Sequence, residues 1–154
     1  MNQPLHYTFK PFGALSNHEL YGILQLRQEI FIVEQDCPYL DADSKDLQAI
    51  HILGHDQDQV LVTYARILPP GISYAGFSSI GRVVCRRDYR KYGHGVSLMQ
   101  TALTHTKHVY PDYPVKIGAQ AYLKRFYESL GFVDVGEPYL EDGIPHIIMI
   151  MTMP

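Results

Sequence analysis

Arg90-Lys91-Tyr92-Gly93-His94-Gly95 follows the stretch Ile80-Gly81-Arg82-Val83-Val84-Cys85-Arg86-Arg87 and leads into a helix-periodic segment over residues 96–109. A strand, a glycine pair flanked by cations and then a helix make a site for an anion. The first N–H groups of a helix lack intrahelical partners and lie at the positive end of its dipole. Glycines let that backbone approach a phosphate closely, and Arg90 or Lys91 adds charge. The stretch therefore predicts an α/β fold that binds a phosphate-bearing ligand.

What the run lacks narrows the ligand. No Gly-x-x-x-x-Gly-Lys-Ser/Thr occurs in the chain, which excludes a Walker A loop. The dinucleotide fingerprint also fails, because its third glycine position holds Leu98. The pattern left is Arg-x-x-Gly-x-Gly after a strand. Downstream, Phe126-Tyr127-Glu128-Ser129-Leu130-Gly131-Phe132 follows an apolar strand over 115–119. Residues 121–130 suit a short helix, Gly131 a left-handed cap, and Phe132-Val133 the start of another strand.

These two segments, in this order, resemble the pyrophosphate loop and the Phe-Tyr-x-x-x-Gly-Phe segment of the GNAT family of N-acetyltransferases. The N-terminal third, Leu26-Arg27-Gln28-Glu29-Ile30-Phe31-Ile32-Val33-Glu34-Gln35-Asp36-Cys37-Pro38-Tyr39 with Asp41 and Asp43, resembles the ElaA-like branch of that family. So does Tyr139-Leu140-Glu141-Asp142-Gly143-Ile144-Pro145-His146. Nearly the whole chain is covered.

The resemblance implies one GNAT domain over residues 1–154, with the fourth and fifth strands splayed around the cofactor. It implies acetyl-CoA as donor and direct attack by a primary amine of a small molecule or peptide in a ternary complex. The backbone of Val83, Val84 and Cys85 would hold the pantetheine arm. Arg90, Lys91, Tyr92, Gly93, His94 and Gly95 would hold the pyrophosphate, with Phe126 beside the cofactor. Tyr127 matches the family tyrosine that gives a proton to the departing thiolate, and a phenol of ordinary pKa near 10 is a reasonable source. The same tyrosine could instead only pack beside Phe126. Glu34 is the expected general base, with Glu29, Asp41, Asp43 or a bound water as alternatives. Any of these carboxylates could instead be an ordinary solvated one, and that is the expected case for Asp43 and Asp46. Two other functions share these features: a non-catalytic acyl-CoA-binding or regulatory domain, and an acyl-homoserine-lactone synthase-like enzyme.

Composition sets the outer bounds. With 154 residues, 46% of them apolar, the chain suits one folded domain. A net charge of −3 gives no basic field to recruit nucleic acid or an anionic membrane. No apolar run is long enough to span a bilayer and no secretory signal is visible, so the expected location is the cytoplasm. Cys37 and Cys85 are the only cysteines; Cys85 reads as a buried small residue and Cys37 as exposed in a loop.

Hydrophobic patterning predicts the order β-α-(α)-β-β-β-α-β-α-β-β. This is a mixed α/β (α+β) domain with a sheet of six to seven strands flanked by helices. Strands are expected over 5–12, 49–54, 60–68, 78–84, 115–119, 132–135 and 147–151. Ser16 and Glu19 form a capping box ahead of a helix whose apolar stripe is interrupted by Arg27. The last strand could be interior or pair across a homodimer. His51 with His55 and His105 with His108 suggest a metal site, but no further ligand lies near either pair, so none is expected. Asp41-Ala42-Asp43-Ser44-Lys45-Asp46 lacks the glycine and closing glutamate of a calcium loop.

Overall fold

The computed structural model describes residues 3–152. Its strands are β1 (His6–Pro11), β2 (Ile50–His55), β3 (Leu61–Leu68), β4 (Ser79–Cys85), β5 (Val115–Gln120), β6 (Val133–Glu141) and β7 (Ile144–Met151). The first four form an antiparallel sheet in chain order, and the last three form a second sheet with β7 between β5 and β6. Ser78 joins the sheets. Its N–H donates to the Pro114 carbonyl at 3.1 Å, and its own carbonyl accepts from Lys116 N–H at 3.0 Å. Past this parallel bridge between Ser78 and Val115, no ladder among the described residues connects β4 with β5. The strands therefore part into a V that opens toward Cys85 and Gln120.

A bulge in β4 shapes one arm of that V. Tyr64 of β3 lies opposite Val84 and Arg66 opposite Gly81, so Arg82 and Val83 together face one β3 residue. Arg82 takes φ 50°, in the left-handed region. The extra residue changes the parity of the strand: Ile80 and Val83 share one core while Val84 belongs to the other. Bulges re-aim side chains and release backbone groups from the ladder, and they concentrate beside active sites.

Two helices cover opposite faces of the larger sheet. α1 (Asn17–Arg27) begins at the expected capping box: Ser16 Oγ accepts from Glu19 N–H at 3.0 Å, and Ser16 N–H donates to Glu19 Oε1 at 2.8 Å. It packs Ile23 and Leu26 against Leu53, Tyr64 and Val84. α2 (His94–Val109) packs Leu98, Met99 and Ala102 on the other face against Ile52, Ala65, Ile67 and Ile117. Each fully buried Leu or Ile in these layers contributes about 1.5–3 kcal/mol. α3 (Lys124–Ser129) follows β5 after a tight turn.

The structure departs from the patterning at three places. α1 continues as a π-helical stretch, Gln28–Glu34, with wide hydrogen bonds from Gln35 N–H to Ile30 O and from Cys37 N–H to Ile32 O, both 3.1 Å. β6 does not stop at Val135; a register shift between Asp134 and Pro138 accommodates Gly136 and Pro138, and pairing resumes to Glu141. Asp142 and Gly143, both at positive φ, then make the tight turn into β7, which starts at Ile144. Both edges of β7 are paired within the chain, so this strand is interior and does not pair across a dimer.

Candidate active site

The loop from β4 to α2 carries the residues that the sequence nominates for an anion. Lys91 and Gly93 both take left-handed conformations, φ 70° and 79°, and turn the chain into α2. Gly93 is the N-cap of that helix, and no side chain caps its first turn. A Cβ at Gly95 would stand 3.7 Å from Phe126, so this helix start and the Phe126 ring face each other. His94 is buried beside the rings of Tyr89 and Tyr92.

Arg90 points back across the V. Its Nε donates to the Cys85 carbonyl at 3.2 Å, and its two Nη groups donate to Glu34 at 2.7 and 3.1 Å. Glu34, at the end of the π-helical stretch, thus meets the guanidinium with both carboxylate oxygens. It does not stand free toward an acceptor, because the wider turn directs it at the loop. While this pair is closed, both of its oxygens are already engaged. Glu29, one of the alternative bases, pairs with Arg86 at 3.3 Å.

Between the arms of the V lies a cleft of about 700 Å³. Val83, Val84, Cys85, Arg90, Gly95 and Phe126 line it, whereas Lys91, Tyr92, Gly93 and His94 do not. Tyr127 reaches the same cleft from α3, its ring set edge-on between Phe126 and Phe132. Its hydroxyl has no hydrogen-bond partner among the described residues, and burial pushes its pKa up to about 12. A Schellman turn anchors it: Phe132 N–H bonds the Tyr127 carbonyl at 3.1 Å, Gly131 N–H bonds Glu128 O at 3.0 Å, and Gly131 sits at φ 106°. Cys85 is only half buried, at the cleft wall, and burial raises its thiol pKa, so it rests as a thiol.

The far side of the cleft carries a different chemistry. Gln35 and Gln120 exchange amide hydrogen bonds at 3.2 and 3.3 Å, tying the π-helical end to β5. Cys37 is buried, against expectation, because its thiol packs on the β6–β7 turn and donates to the Asp142 carbonyl at 3.4 Å. Beneath this strap lie Tyr39, Tyr74, Tyr139, Glu141 and His146. Gly118 of β5 lets the tyrosines approach, since a Cβ there would collide with the Tyr139 hydroxyl and crowd that of Tyr74.

Under α1 the residue that interrupts the apolar stripe proves to be the centre of an ionic cluster. Arg27 is fully buried, its Nε 2.8 Å from Asp41 and its Nη1 2.8 Å from Asp46. Arg66 binds Asp46 and Asp43 at 2.9 and 2.6 Å, and Arg82 of the bulge binds Asp41 at 2.8 Å. Burial alone would raise the Asp46 and Asp43 pKa values; the arginines more than offset it and hold both below the usual carboxylate range. These are not solvated carboxylates. His51 completes the layer. Its Nε2 meets the Asp46 carbonyl at 2.9 Å, so Nε2 carries the proton and Nδ1 accepts from the Tyr64 hydroxyl at 2.7 Å. Burial lowers the His51 pKa and keeps the ring neutral. The cluster grips the bulge through Arg82 and the loop carrying Tyr39, whose hydroxyl donates to Asp41 at 2.9 Å.

The other histidine pair also has a structural use: His105 stacks on Phe9 with centroids 4.1 Å apart. Among the described residues, no three His, Cys, Asp or Glu side chains gather as a metal site would need. No helix there is long and apolar enough to cross a membrane.

A strand with a bulge, an arginine-glycine turn into a helix and a V between the fourth and fifth strands together define a fold and a site that can be compared with known proteins. The sequence model of the acetyltransferase (GNAT) domain matches residues 16–153. The chain belongs to the GNAT family. ElaA of Escherichia coli is 46% identical over 96% of this chain and 93% of its own. Its crystal structure superposes with a TM-score of 0.88, covering 96% of this chain and 99% of that one. An acyl-CoA N-acyltransferase from Pseudomonas aeruginosa superposes at 0.89, with 43% identity and the same coverage. A putative N-acetyltransferase from Lactobacillus plantarum, 24% identical, shares the fold at 0.82 over 99% of this chain and all of that one. Membership in the GNAT family supports acyl-CoA-dependent N-acyl transfer as the activity.

Of the residues the sequence nominated, the GNAT cleft brings together Val83, Val84, Cys85, Arg90, Gly95, Phe126, Tyr127 and Glu34. Sequence reasoning assigned no role to Arg27, Arg66, Arg82, Gly118, Tyr74, Tyr139 or His146. For Tyr139 and His146 a signal was present, since both stand in the segment that resembles the ElaA-like branch.

Proposed function

We propose that the protein transfers an acetyl group from acetyl-CoA to a primary amine of a small molecule or peptide, within a complex holding both substrates. The observation that carries this reading is the V itself. One wall presents the β4 bulge and the start of α2, and Tyr127 enters between that wall and a tyrosine-lined pocket.

The loop and α2 would hold the pyrophosphate through first-turn N–H groups, helped by Arg90 once it exchanges Glu34 for phosphate. The backbone of Val83 to Cys85, left without a β5 partner where the two strands part, would hold the pantetheine arm along β4. The amine nitrogen then attacks the thioester carbonyl, a C–N bond forms, and the C–S bond breaks. Tyr127 is protonated at neutral pH and has a proton to give to the departing sulfur. Holding the two reactants in one cleft supplies the usual advantage of proximity.

Thiol release from acetyl-CoA, followed across a panel of primary amines, tests this function. Amine-dependent release with formation of the amide is the expected result. A protein that binds acetyl-CoA yet releases no thiol with any amine would instead be a binding domain.

A further inference from the structure

We propose that His146 is the base that takes the proton from the acceptor amine, in a pocket where Glu141 and Tyr139 receive a primary ammonium. This deepens the acetyl-transfer reading and rests on it.

His146 lies on β7, in register with Gln120 of β5 and Tyr139 of β6, and is only 7% exposed, its open side lining the cleft. Its Nδ1 stands 2.7 Å from the Ile144 carbonyl. A carbonyl only accepts, so Nδ1 carries the proton, and the neutral ring keeps its lone pair on Nε2. A second-position backbone bond of this kind fixes ring orientation and tautomer together. Glu141 Oε2 lies 3.4 Å from Nε2. That separation is long for a neutral hydrogen bond but close enough to stabilise an imidazolium once Nε2 is protonated. The ring also lies against Tyr139, centroids 5.3 Å apart.

A histidine kept only for packing needs no free lone pair at a cleft. Glu34, by contrast, has both oxygens on Arg90. The groups that face His146 are Glu141 and Tyr139 from β6, with Tyr74 beside Tyr139, and the Gln35–Gln120 amide pair from the strap and β5. Glu141 is the one carboxylate in this set, so it attracts the ammonium and sets the charge balance of the ring. Tyr139 adds an aromatic face suited to a cation, whereas Arg82 and Lys116 already lie over the rings of Tyr39 and Tyr74. In the reaction, Nε2 first takes a proton from the ammonium, and the free amine so formed makes the C–N bond. As the C–S bond breaks, the sulfur takes its proton from Tyr127, and the second proton shed by the nitrogen restores the Tyr127 hydroxyl, so no further reactant is required.

The test combines imidazole nitrogen NMR of the wild-type protein with thiol release from acetyl-CoA, using tyramine as the probe amine. The expected spectrum shows neutral His146 protonated at Nδ1 and bare at Nε2. Glu141→Gln, whose side chain is largely exposed and leaves the fold intact, should raise the KM for the amine while acetyl-CoA affinity is unchanged. His146→Asn should lower kcat by about 10²-fold and remove the acid limb of the pH–rate profile, with acetyl-CoA affinity by calorimetry unchanged. A neutral ring protonated at Nε2, an amine KM unmoved in Glu141→Gln, or a His146→Asn variant with wild-type rate and acid limb would each overturn the assignment. A wild-type protein that fails to bind acetyl-CoA would overturn the acyl-transfer reading and the base with it, and this is seen without any variant.

Discussion

Glu34 and Arg90 form a two-pronged ion pair, 2.7 and 3.1 Å, across the mouth of the cleft. The glutamate from the end of the first helix thus occupies the guanidinium that the phosphate loop would offer to a cofactor. A carboxylate and a pyrophosphate compete for the same planar donors.

Glu34→Gln should therefore bind CoA about two- to fivefold more tightly, the scale of a partly exposed ion pair. It should leave the acid limb of the pH–rate profile in place. Calorimetry and the profile read both outcomes; weaker CoA binding with a vanished limb would return Glu34 to the role of base.

Tyr127→Phe keeps the ring that packs between Phe126 and Phe132 and removes only the hydroxyl. Steady-state kinetics should show kcat lowered by about 10²-fold with little change in the KM for acetyl-CoA. Full retention of kcat would leave Tyr127 a packing residue.

Gly118→Ala puts a methyl group where the Tyr139 hydroxyl lies. Displacing that phenol should raise the KM for the amine while acetyl-CoA affinity stays the same. Overpacking of this kind costs about 1–3 kcal/mol of stability, readable by urea denaturation.

The ionic layer makes a prediction about pH. His51, with its folded pKa lowered, contributes stability that is present above its ordinary value of 6.5 and lost as pH falls below it; His55 and His105 act in the same sense. Asp43 and Asp46 also have lowered values, so their contribution is present above 3.8 and is lost only as pH falls further. Tm should thus decline in two stages on acidification. Arg27→Ala, which takes from Asp41 and Asp46 one of the two arginines each has, should cost about 3–5 kcal/mol at neutral pH.

Residues with local rules were legible. Ser16 and Glu19 announce a capping box that forms as written, and Gly131 closes α3 in the left-handed conformation its position implies. The turn from β4 into α2 was legible because Gly93 and Gly95 stand between a strand and a helix-periodic segment. Arg27 was not, since a cation in an apolar stripe looks like a flaw until Asp41 and Asp46 are folded against it. β6 was cut short because Gly136 and Pro138 signal a break, and only pairing with β7 turns that break into a bulge. The direction of Glu34 depends on a π-helical turn that hydrophobic periodicity does not encode. Tyr139 and His146 come together through strand register, a long-range property.

The most direct test is calorimetric titration of acetyl-CoA into the wild-type protein and into Gly95→Val, with circular dichroism to show that the variant is folded. Gly95 opens the start of α2 toward Phe126, where the loop from β4 meets the cleft. The account predicts saturable binding to the wild type and none to the variant. Absence of binding to the wild type, or equal binding by both, would contradict it.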